Sequence, residues 1–452
     1  MDAAELDRRA LTYDGWIPPD LVSWLLEHGH HDEVQLQARG GDWSCAQAWA
    51  PFLAEQDRRN EALEVLSPYA ETGWWKAARS VAELLETWGR TDEAIGLVRP
   101  YAEREERPAL KYCALLLARH GRADEAYSLL RPHIEDWLLA DALVEVTAGS
   151  GRDEEVATLL AVRIEAGRPC GGPPCGSRTP EPWNAVGLLA TIRERQGRID
   201  EAIALLRTRD VTSVNGRDQL AELLARHDRI GELREYAAIE VLGDAARCLA
   251  ESLEERGDLA GAIEVYRPRV ADGSPHAAVE LAQLLARHGR GREAIEVLSS
   301  LPCSSGGWED WVVDALCTLY IDRDRAEDGL AYLDHLSAQS SPVELEFVLR
   351  LRTRLLVSCG RTEQAIEEAR THLDAHTWPA AQNLARLLAD AGRPEEAVAV
   401  LDPAIAANRR VLAAQLMELG RVKDAVAVLH RPKRVEALPW SNPPWSSACP
   451  PF

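Results

Sequence analysis

Two short stretches contain residue types that bind metal ions. The first, residues 28–32 with the sequence HGHHD, combines imidazoles with a carboxylate, and both groups are zinc ligands. The second is the pair Cys170 and Cys175, inside a segment dense in glycine and proline. A structural zinc site needs four ligands and no second cysteine pair lies nearby, so a flexible loop, a redox pair and a metal site stay as alternatives for this segment.

The motifs of common catalytic sites are absent from the sequence. It contains no GxxxxGK(S/T) phosphate loop, no HExxH zinc motif, no GxSxG nucleophile turn and no GxGxxG after a strand. No segment has the alternation of a β-strand, so no separate catalytic domain is expected. The sequence therefore predicts a protein that is not an enzyme, with no catalytic residues, no cofactor and no metal.

A repeated pair of helices must position any functional residue. Residues 81–100, VAELLETWGRTDEAIGLVRP, place Val81, Leu84 and Leu85 on one helical face. Gly89 follows, and glycine enters the left-handed region without steric cost. The unit is predicted as one helix, a corner at Gly89, and a second, shorter helix that Pro100 stops.

The corner recurs along nearly the whole chain. The corner residues are Gly29, Asp57, Gly89, Gly121, Gly151, Gly197, Asp228, Gly257, Gly289, Asp324, Gly360, Gly392 and Gly420. Those that are not glycine are all aspartate, a residue enriched at positive φ. This regularity predicts about thirteen helix pairs.

Two further positions hold small residues in the same register. Alanine stands five residues after the corner at Ala62, Ala94, Ala126, Ala202, Ala262, Ala294, Ala365, Ala397 and Ala425. It stands seven residues before the corner at Ala50, Ala82, Ala114, Ala190, Ala221, Ala250, Ala282, Ala385 and Ala413. Small residues at these two points let paired helices approach closely.

This pattern resembles the tetratricopeptide repeat: a small residue in the middle of the first helix, glycine at the corner, and alanine five residues on. The terminal proline comes about six residues earlier than in that family, and the usual tryptophan is displaced. The resemblance covers roughly residues 20–431. It implies an all-α fold, a right-handed superhelical α-solenoid of about thirteen helix-turn-helix repeats whose first helices line a concave groove.

The residue six before each corner is expected to face that groove. This column comprises Ser23, Pro51, Glu83, Leu115, Glu145, Thr191, Glu222, Glu251, Gln283, Thr318, Arg354, Arg386 and Ala414. Acidic residues dominate its first two-thirds, and arginines mark its last part. A ligand of basic or extended polar character is the natural complement, and the alternative is a stripe that is merely solvated.

Tryptophan recurs fourteen residues before the corner, at Trp43, Trp75, Trp137, Trp183 and Trp378. Either each indole packs over the second helix of the preceding repeat, or some lie at the groove rim as binding anchors. The residues predicted to bind a partner are Trp75, Glu83, Trp137, Trp183, Glu222, Glu251, Gln283, Arg354, Trp378 and Arg386.

Charged residues flank the corner. Arginine follows the corner in most repeats, and an acidic residue usually comes within the next four positions. Local neutralisation of these arginines is therefore predicted, and a basic ridge that binds a partner is the alternative. Histidine precedes it at His120, His227 and His288, as at His28. A histidine there suits the helix dipole, so the HGHHD run is interpreted as part of the repeat, with zinc binding as the alternative.

Composition limits the partners and the compartment. A net charge of −22 argues against nucleic acid, because lysine and arginine supply most of that affinity. The N-terminus has no apolar signal region, and no run approaches 18 apolar residues, so neither export nor membrane association is expected. The 9 cysteines are expected to be reduced thiols. The scarcity of lysine among 51 cationic residues suggests a GC-rich bacterial genome, and we expect a cytoplasmic protein.

Five segments are predicted. They are an N-terminal cap over 1–20, repeats over 21–166, a Gly/Pro-rich inserted loop over 167–183, repeats over 184–431 and a Pro/Trp-rich tail over 432–452. Residues 302–307 lengthen one linker and are a candidate hinge. The tail either docks on the last repeat or lies free.

Two functions fit these observations. The first is a non-catalytic scaffold that binds a peptide or protein partner in the concave groove. The alternative is a regulatory or sensor subunit that controls a separately encoded effector enzyme in a stress or defence system. The sequence predicts neither the partner nor the oligomeric state.

Overall fold

A computed structural model describes residues 2–13, 15–166, 182–209, 213–214, 217–240, 243–301, 310–337, 345–372 and 378–431. The chain divides into two compact units, unit 1 with residues 1–209 and 423–452, and unit 2 with residues 210–422. The predicted segment boundaries stay a prediction. Of the predicted inserted loop over 167–183, residues 167–181 lie outside the described residues, and residues 182–183 instead begin a helix. The candidate hinge and the tail also lie outside the described residues.

Helices follow one another along the described chain. The first thirteen are α1 (Ala3–Thr12), α2 (Pro19–Glu27), α3 (His31–Arg39), α4 (Trp43–Glu55), α5 (Arg59–Ala70), α6 (Trp75–Thr87), α7 (Thr91–Glu103), α8 (Arg107–Arg119), α9 (Ala123–Leu130), α10 (Trp137–Val146), α11 (Asp153–Ala166), α12 (Pro182–Arg195) and α13 (Ile199–Leu206). A 3₁₀ turn, Arg131–His133, follows α9.

The remaining helices come after a small antiparallel ribbon of β1 (Ser213–Val214) and β2 (Arg217–Asp218). They are α14 (Gln219–Arg226), α15 (Ile230–Ile239), α16 (Asp244–Glu255), α17 (Leu259–Ala271), α18 (Pro275–Arg287), α19 (Gly291–Ser299), α20 (Asp310–Asp322), α21 (Ala326–Ser337), α22 (Leu345–Ser358), α23 (Thr362–His372), α24 (Trp378–Asp390), α25 (Pro394–Ala399), α26 (Asn408–Glu418) and α27 (Val422–Leu429). The sequence predicted no β-strand, and the ribbon corrects that prediction. Strands of two residues are too short to show an alternating pattern.

The helices after α1 form hairpins, each with an even-numbered A helix before the corner and an odd-numbered B helix after it. Every predicted corner residue has a left-handed backbone, with φ between 54° and 79°. At Gly89 the N–H donates to Glu86 O (2.9 Å), and the N–H of Arg90 donates to Leu85 O (2.8 Å). These bonds satisfy carbonyls at the end of the A helix, so the corner position requires a residue that tolerates positive φ. The predicted solenoid of helical hairpins is confirmed.

The two alanine columns lie in the core of the hairpins. All of their members, on both sides of the corner, are at most 2% exposed. At the one hairpin that has glycine in the later column, a Cβ on Gly329 would lie 2.8 Å from Leu355 Cδ2. The helices therefore cross at a distance that suits only small side chains.

The prediction that proline stops the second helix is wrong. Pro100 lies inside α7, which continues to Glu103, and Pro68 and Pro268 lie inside α5 and α17 in the same way. Tyr101 and Ala102 follow Pro100 and are buried, so their packing offsets the hydrogen bond that proline cannot donate. As a result α7 is as long as α6, with 13 residues each, and is not the shorter helix.

Ion pairs connect successive corners within each unit. The Arg122 guanidinium binds Glu125 of its own repeat (2.5 Å) and Asp92 of the preceding repeat (3.3 Å). Arg393 repeats this arrangement in unit 2, with Glu396 (2.6 Å) and Glu363 (3.1 Å). These contacts confirm local neutralisation of the corner arginines. Because the pairs are exposed to water, which screens their charges, they contribute little to stability.

A second ion-pair arrangement joins consecutive A helices. Glu86 Oε2 binds Arg119 (2.9 Å) and its Oε1 lies 2.9 Å from His120 Nε2. Glu254 binds Arg287 (2.8 Å) and approaches His288 (2.7 Å) in unit 2. The hydrogen bond from arginine holds the pKa of both carboxyls below the ordinary value of 4.5.

These lowered pKa values predict acid sensitivity. A carboxyl whose folded-state pKa is lowered stabilises the fold above its unfolded pKa, and that stabilisation is lost as the pH falls through the folded value. The urea midpoint of the wild-type chain should therefore decline below about pH 4.5. In an E86Q/E254Q variant we expect a lower midpoint at neutral pH and a smaller decline on acidification.

Unfolding followed by circular dichroism across this pH range measures the effect. The control is E235Q, which changes an exposed carboxyl on α15 with no hydrogen bond or ion pair in the described part of the chain. An equal decline in E86Q/E254Q and wild type would contradict the assignment.

Candidate functional site

The column six residues before the corner lies at the surface of the A helices. All its members, from Ser23 to Ala414, are exposed or half-buried, whereas the residue one position earlier is buried in every repeat. This alternation follows from helix geometry, because one residue turns the side chain by 100° away from the helix crossing. We call this surface the A-face column.

Three predicted glutamates of the A-face column are paired within their own helices. Glu83 binds Arg79 (2.8 Å) and Glu251 binds Arg247 (2.9 Å), while Glu222 lies 3.8 Å from Arg226. The acidic character that the sequence suggested is therefore reduced by a cation one turn away.

The remaining polar residues of the predicted set differ in their contacts. The Arg354 guanidinium binds Asp314 (2.6 Å) and Thr318 Oγ1 (3.2 Å) on the preceding A helix of unit 2. Arg386 is exposed and donates to Asn383 Oδ1 (3.0 Å), and Gln283 is exposed. Arg354 thus connects two layers, while Arg386 and Gln283 face solvent.

The tryptophans at the head of the A helices divide into two kinds. Trp75 is half-buried, with its ring 5.5 Å from that of Tyr101 and 5.7 Å from that of Tyr112. Trp137 and Trp378 are 56% and 49% exposed. The side chain of Trp183 lies outside the described residues. About half of each of these two indoles is therefore open to solvent.

The structure shows a cleft in unit 1 that the repeat pattern did not indicate. It has a volume of about 520 Å³ and lies between α3 and α5, with α4 beneath it. We call it the N-terminal cleft, and its lining comprises Leu6, Gln35, Ala38, Arg39, Gly41, Trp49, Leu53, Glu61, Glu64, Val65, Pro68, Tyr69 and Thr72. Trp49 and Tyr69 stand outside the repeated columns, so only the fold brings them together.

Two polar atoms of the N-terminal cleft have no hydrogen-bond partner in the described structure. They are the Trp49 Nε1 and the Tyr69 hydroxyl, on side chains that are 4% and 5% exposed. Burial raises the pKa of the Tyr69 hydroxyl well above its usual range, so this group is a neutral donor. An unpaired buried donor costs roughly 1–3 kcal/mol.

A second cleft, in unit 2, has the same register. It measures about 420 Å³ between α17 and α19, and Arg267 and Glu296 occupy the positions of Arg39 and Glu64. Leu281 lies where the N-terminal cleft has Trp49. A groove between neighbouring B helices is therefore a property of the repeat. Of these two clefts, the N-terminal cleft is the one lined by unpaired donors.

The histidine run is engaged with aromatic rings. The His28 and His30 rings stack on Trp24, with centroids 4.0 and 5.7 Å apart, and the His31 ring lies 4.5 Å from that of Phe52. Within the described ranges no three metal-ligating side chains form a group. The pair Cys170 and Cys175 lies outside those ranges. Among the described cysteines, burial raises the pKa of the Cys248 thiol to about 11.

None of the helices in the described part of the chain has the length and apolar character needed to cross a bilayer. No protein-family model and no curated protein matches the sequence. Among solved structures, the chain is similar to a structure of Naa15/Naa10 bound to HypK-THB, at 13% identity and a TM-score of 0.34, covering 85% of this chain and 67% of that one.

A tetratricopeptide repeat protein from Parabacteroides merdae also matches, at 13% identity and a TM-score of 0.25, covering 62% of this chain and 96% of that one. Likenesses at this level carry no functional argument. The architecture is instead defined by the corners with positive φ and by the buried alanine columns. By that geometry the chain is an all-α helical-repeat protein built of hairpins that resemble tetratricopeptide repeats.

Proposed function

We propose that this chain is a non-catalytic interaction scaffold that binds a peptide or protein partner along the A-face column. The observation that carries the proposal is the exposure of this column in every repeat, together with the half-exposed indoles of Trp137 and Trp378 at the heads of A helices. Aromatic side chains of this kind are typical anchors of protein interfaces.

The packing of the A helices supports an extended binding strip. Within unit 1, α8 contacts α10, and within unit 2, α14 contacts α16 and α18 contacts α20. Neighbouring A helices thus bring their exposed columns side by side, about 8–10 Å apart. An extended segment laid across the helices would meet one column residue per layer.

The charges of this strip favour a ligand with basic groups. The ion pairs of Glu83 and Glu251 with arginines one turn away contribute about 0.3–0.5 kcal/mol each, because they are exposed pairs on a helix surface. A lysine or arginine of a ligand can replace such a partner at little cost. The net charge of −22 adds a long-range attraction for a basic ligand.

Panning a random peptide library displayed on phage against the full chain tests the proposal. Enriched peptides should carry net positive charge and an apolar side chain. At least one of W137A and W378A should weaken the binding of a synthetic enriched peptide by about tenfold, which corresponds to about 1.4 kcal/mol.

Matched controls are L36A and V162A, which shorten equally exposed apolar side chains on the B helices α3 and α11. Both should leave the affinity within about twofold. If the controls weaken binding and neither tryptophan variant does, the partner lies on the B helices and the proposal fails.

A further inference from the structure

The N-terminal cleft has the chemistry of a site for a proline-rich segment. The apolar part of its lining includes Leu53, Val65 and Pro68 together with Trp49, and the lining also contains charged side chains. The two unpaired donors, Trp49 Nε1 and the Tyr69 hydroxyl, are buried and have no acceptor among the described residues. Proline offers a backbone carbonyl and no N–H, so a proline-rich segment brings acceptors without adding donors that need partners. Aromatic-lined grooves bind polyproline II segments in this way.

One segment of this chain has that composition. Residues 432–452, PKRVEALPWSNPPWSSACPPF, contain six prolines and end in aromatic and proline residues. Their prolines favour the extended polyproline II conformation, and Trp440 and Trp445 are apolar groups that gain from burial.

The tail leaves the described part of the chain beside the cleft. His430 Nε2 lies 3.8 Å from Asp42 Oδ2, and Gly41, the neighbour of Asp42, lines the cleft. Residues 423–431, the last that the structure describes, belong to the same compact unit as the cleft. From His430 to Trp440 is ten residues, which span roughly 31 Å in polyproline II, so the tail has ample length to enter.

Charge favours the same occupant. Lys433 and Arg434 lie at the start of the tail, and the lining of the cleft includes Glu61 and Glu64. Glu61 already binds Arg58 (2.7 Å), whereas Glu64 is exposed and has no ion pair within the described residues. A cation at the start of the tail would find its partner at Glu64.

From these observations we propose that residues 432–452 dock in the N-terminal cleft of their own chain. The indole N–H of Trp49 and the hydroxyl of Tyr69 donate to carbonyls of the proline-rich stretch, and Glu64 binds a basic residue at its start. The docked tail thereby covers the apolar lining of the cleft.

A fluorescein-labelled peptide of residues 432–452 tests the proposal on the full chain. The wild-type cleft is occupied in cis, so the peptide should bind it at least tenfold more weakly than it binds a full-length W440A/W445A variant, whose own tail is released. In the W440A/W445A background, W49F and Y69F should each weaken the peptide by at least threefold.

Two matched controls separate the site from general effects on folding. Y112F removes another unpaired buried hydroxyl that lies outside the cleft, and it should leave the affinity unchanged. E64K should weaken the peptide, while E296K, at the same register in the second cleft, should not. Equal affinities for wild type and W440A/W445A, or equal effects of E64K and E296K, would overturn the proposal.

Mass measurement distinguishes the source of the tail. The wild-type chain and W440A/W445A should have the same mass in solution. A wild-type dimer that W440A/W445A converts to a monomer would place the tail in the cleft of a second copy and overturn docking in cis.

Discussion

Replacing Ala262 by leucine is expected to lower the free energy of unfolding by about 2–3 kcal/mol. Ala262 is fully buried in α17, five residues after the corner Gly257, in the column where the two helices of a hairpin approach most closely. Three additional carbon atoms have no space there, so the helices must separate or adopt strained rotamers. Urea unfolding of the full chain, followed by circular dichroism, measures the change.

The matched control lies two residues away on the same helix. Ala260 is exposed, and leucine has nearly the helix propensity of alanine, so A260L should change stability by less than about 0.5 kcal/mol. If A262L is as stable as A260L, the alanine columns do not set the spacing of the helices. A similar loss in both variants would point to a helix-propensity effect instead.

Removing the carboxylate of Asp42 is expected to cost about 2–4 kcal/mol. Asp42 is 3% exposed, and its two oxygens accept hydrogen bonds from the backbone N–H groups of Ile17 (2.6 Å) and Cys45 (3.0 Å). One bond caps α4, and the other holds the segment between α1 and α2. In D42A both N–H groups lose a charged acceptor, and the bond to Ile17 is fully buried, so the loss exceeds that of an ordinary cap.

The control for D42A is D258A, which removes an exposed cap at the start of α17. Within the described residues the Asp258 side chain accepts one hydrogen bond, from the Gly261 N–H (2.8 Å), and its loss should cost about 1 kcal/mol. Hydrogen exchange at α4 and at Ile17 should increase in D42A. Unchanged exchange there, with equal losses in D42A and D258A, would show that the bond to Ile17 adds nothing.

The repeat could be predicted from the sequence because its determinants are local. Each corner depends on one residue that tolerates positive φ, and Asp57, Asp228 and Asp324 adopt it at 59°, 60° and 54° as the glycines do. The alanine columns could also be predicted from the sequence, because the helical period places one position per turn at the crossing of the two helices. The ion pairs of the corner arginines also follow, in part, from acids three residues further along the same helix.

The proline prediction failed because it used a local rule where packing decides. Pro100 removes one backbone hydrogen bond, but the burial of Tyr101 and Ala102 holds the helix together beyond it. The tryptophans show the same limit. Trp75 and Trp137 occupy the same position in the repeat, yet one ring packs against Tyr101 and Tyr112 while the other is exposed.

The sequence by itself determined the all-α repeat, the position of every corner and the columns that face inward, because these depend on residues at most a few turns apart. The tertiary structure alone decided which aromatic rings are covered and which carboxylates are paired between layers. It also decided that Trp49 and Tyr69 line one cleft, where neither side-chain donor has an acceptor among the described residues. Those outcomes depend on side chains that neighbouring repeats contribute, and repeats of the same pattern differ in the residues they bring to the contact.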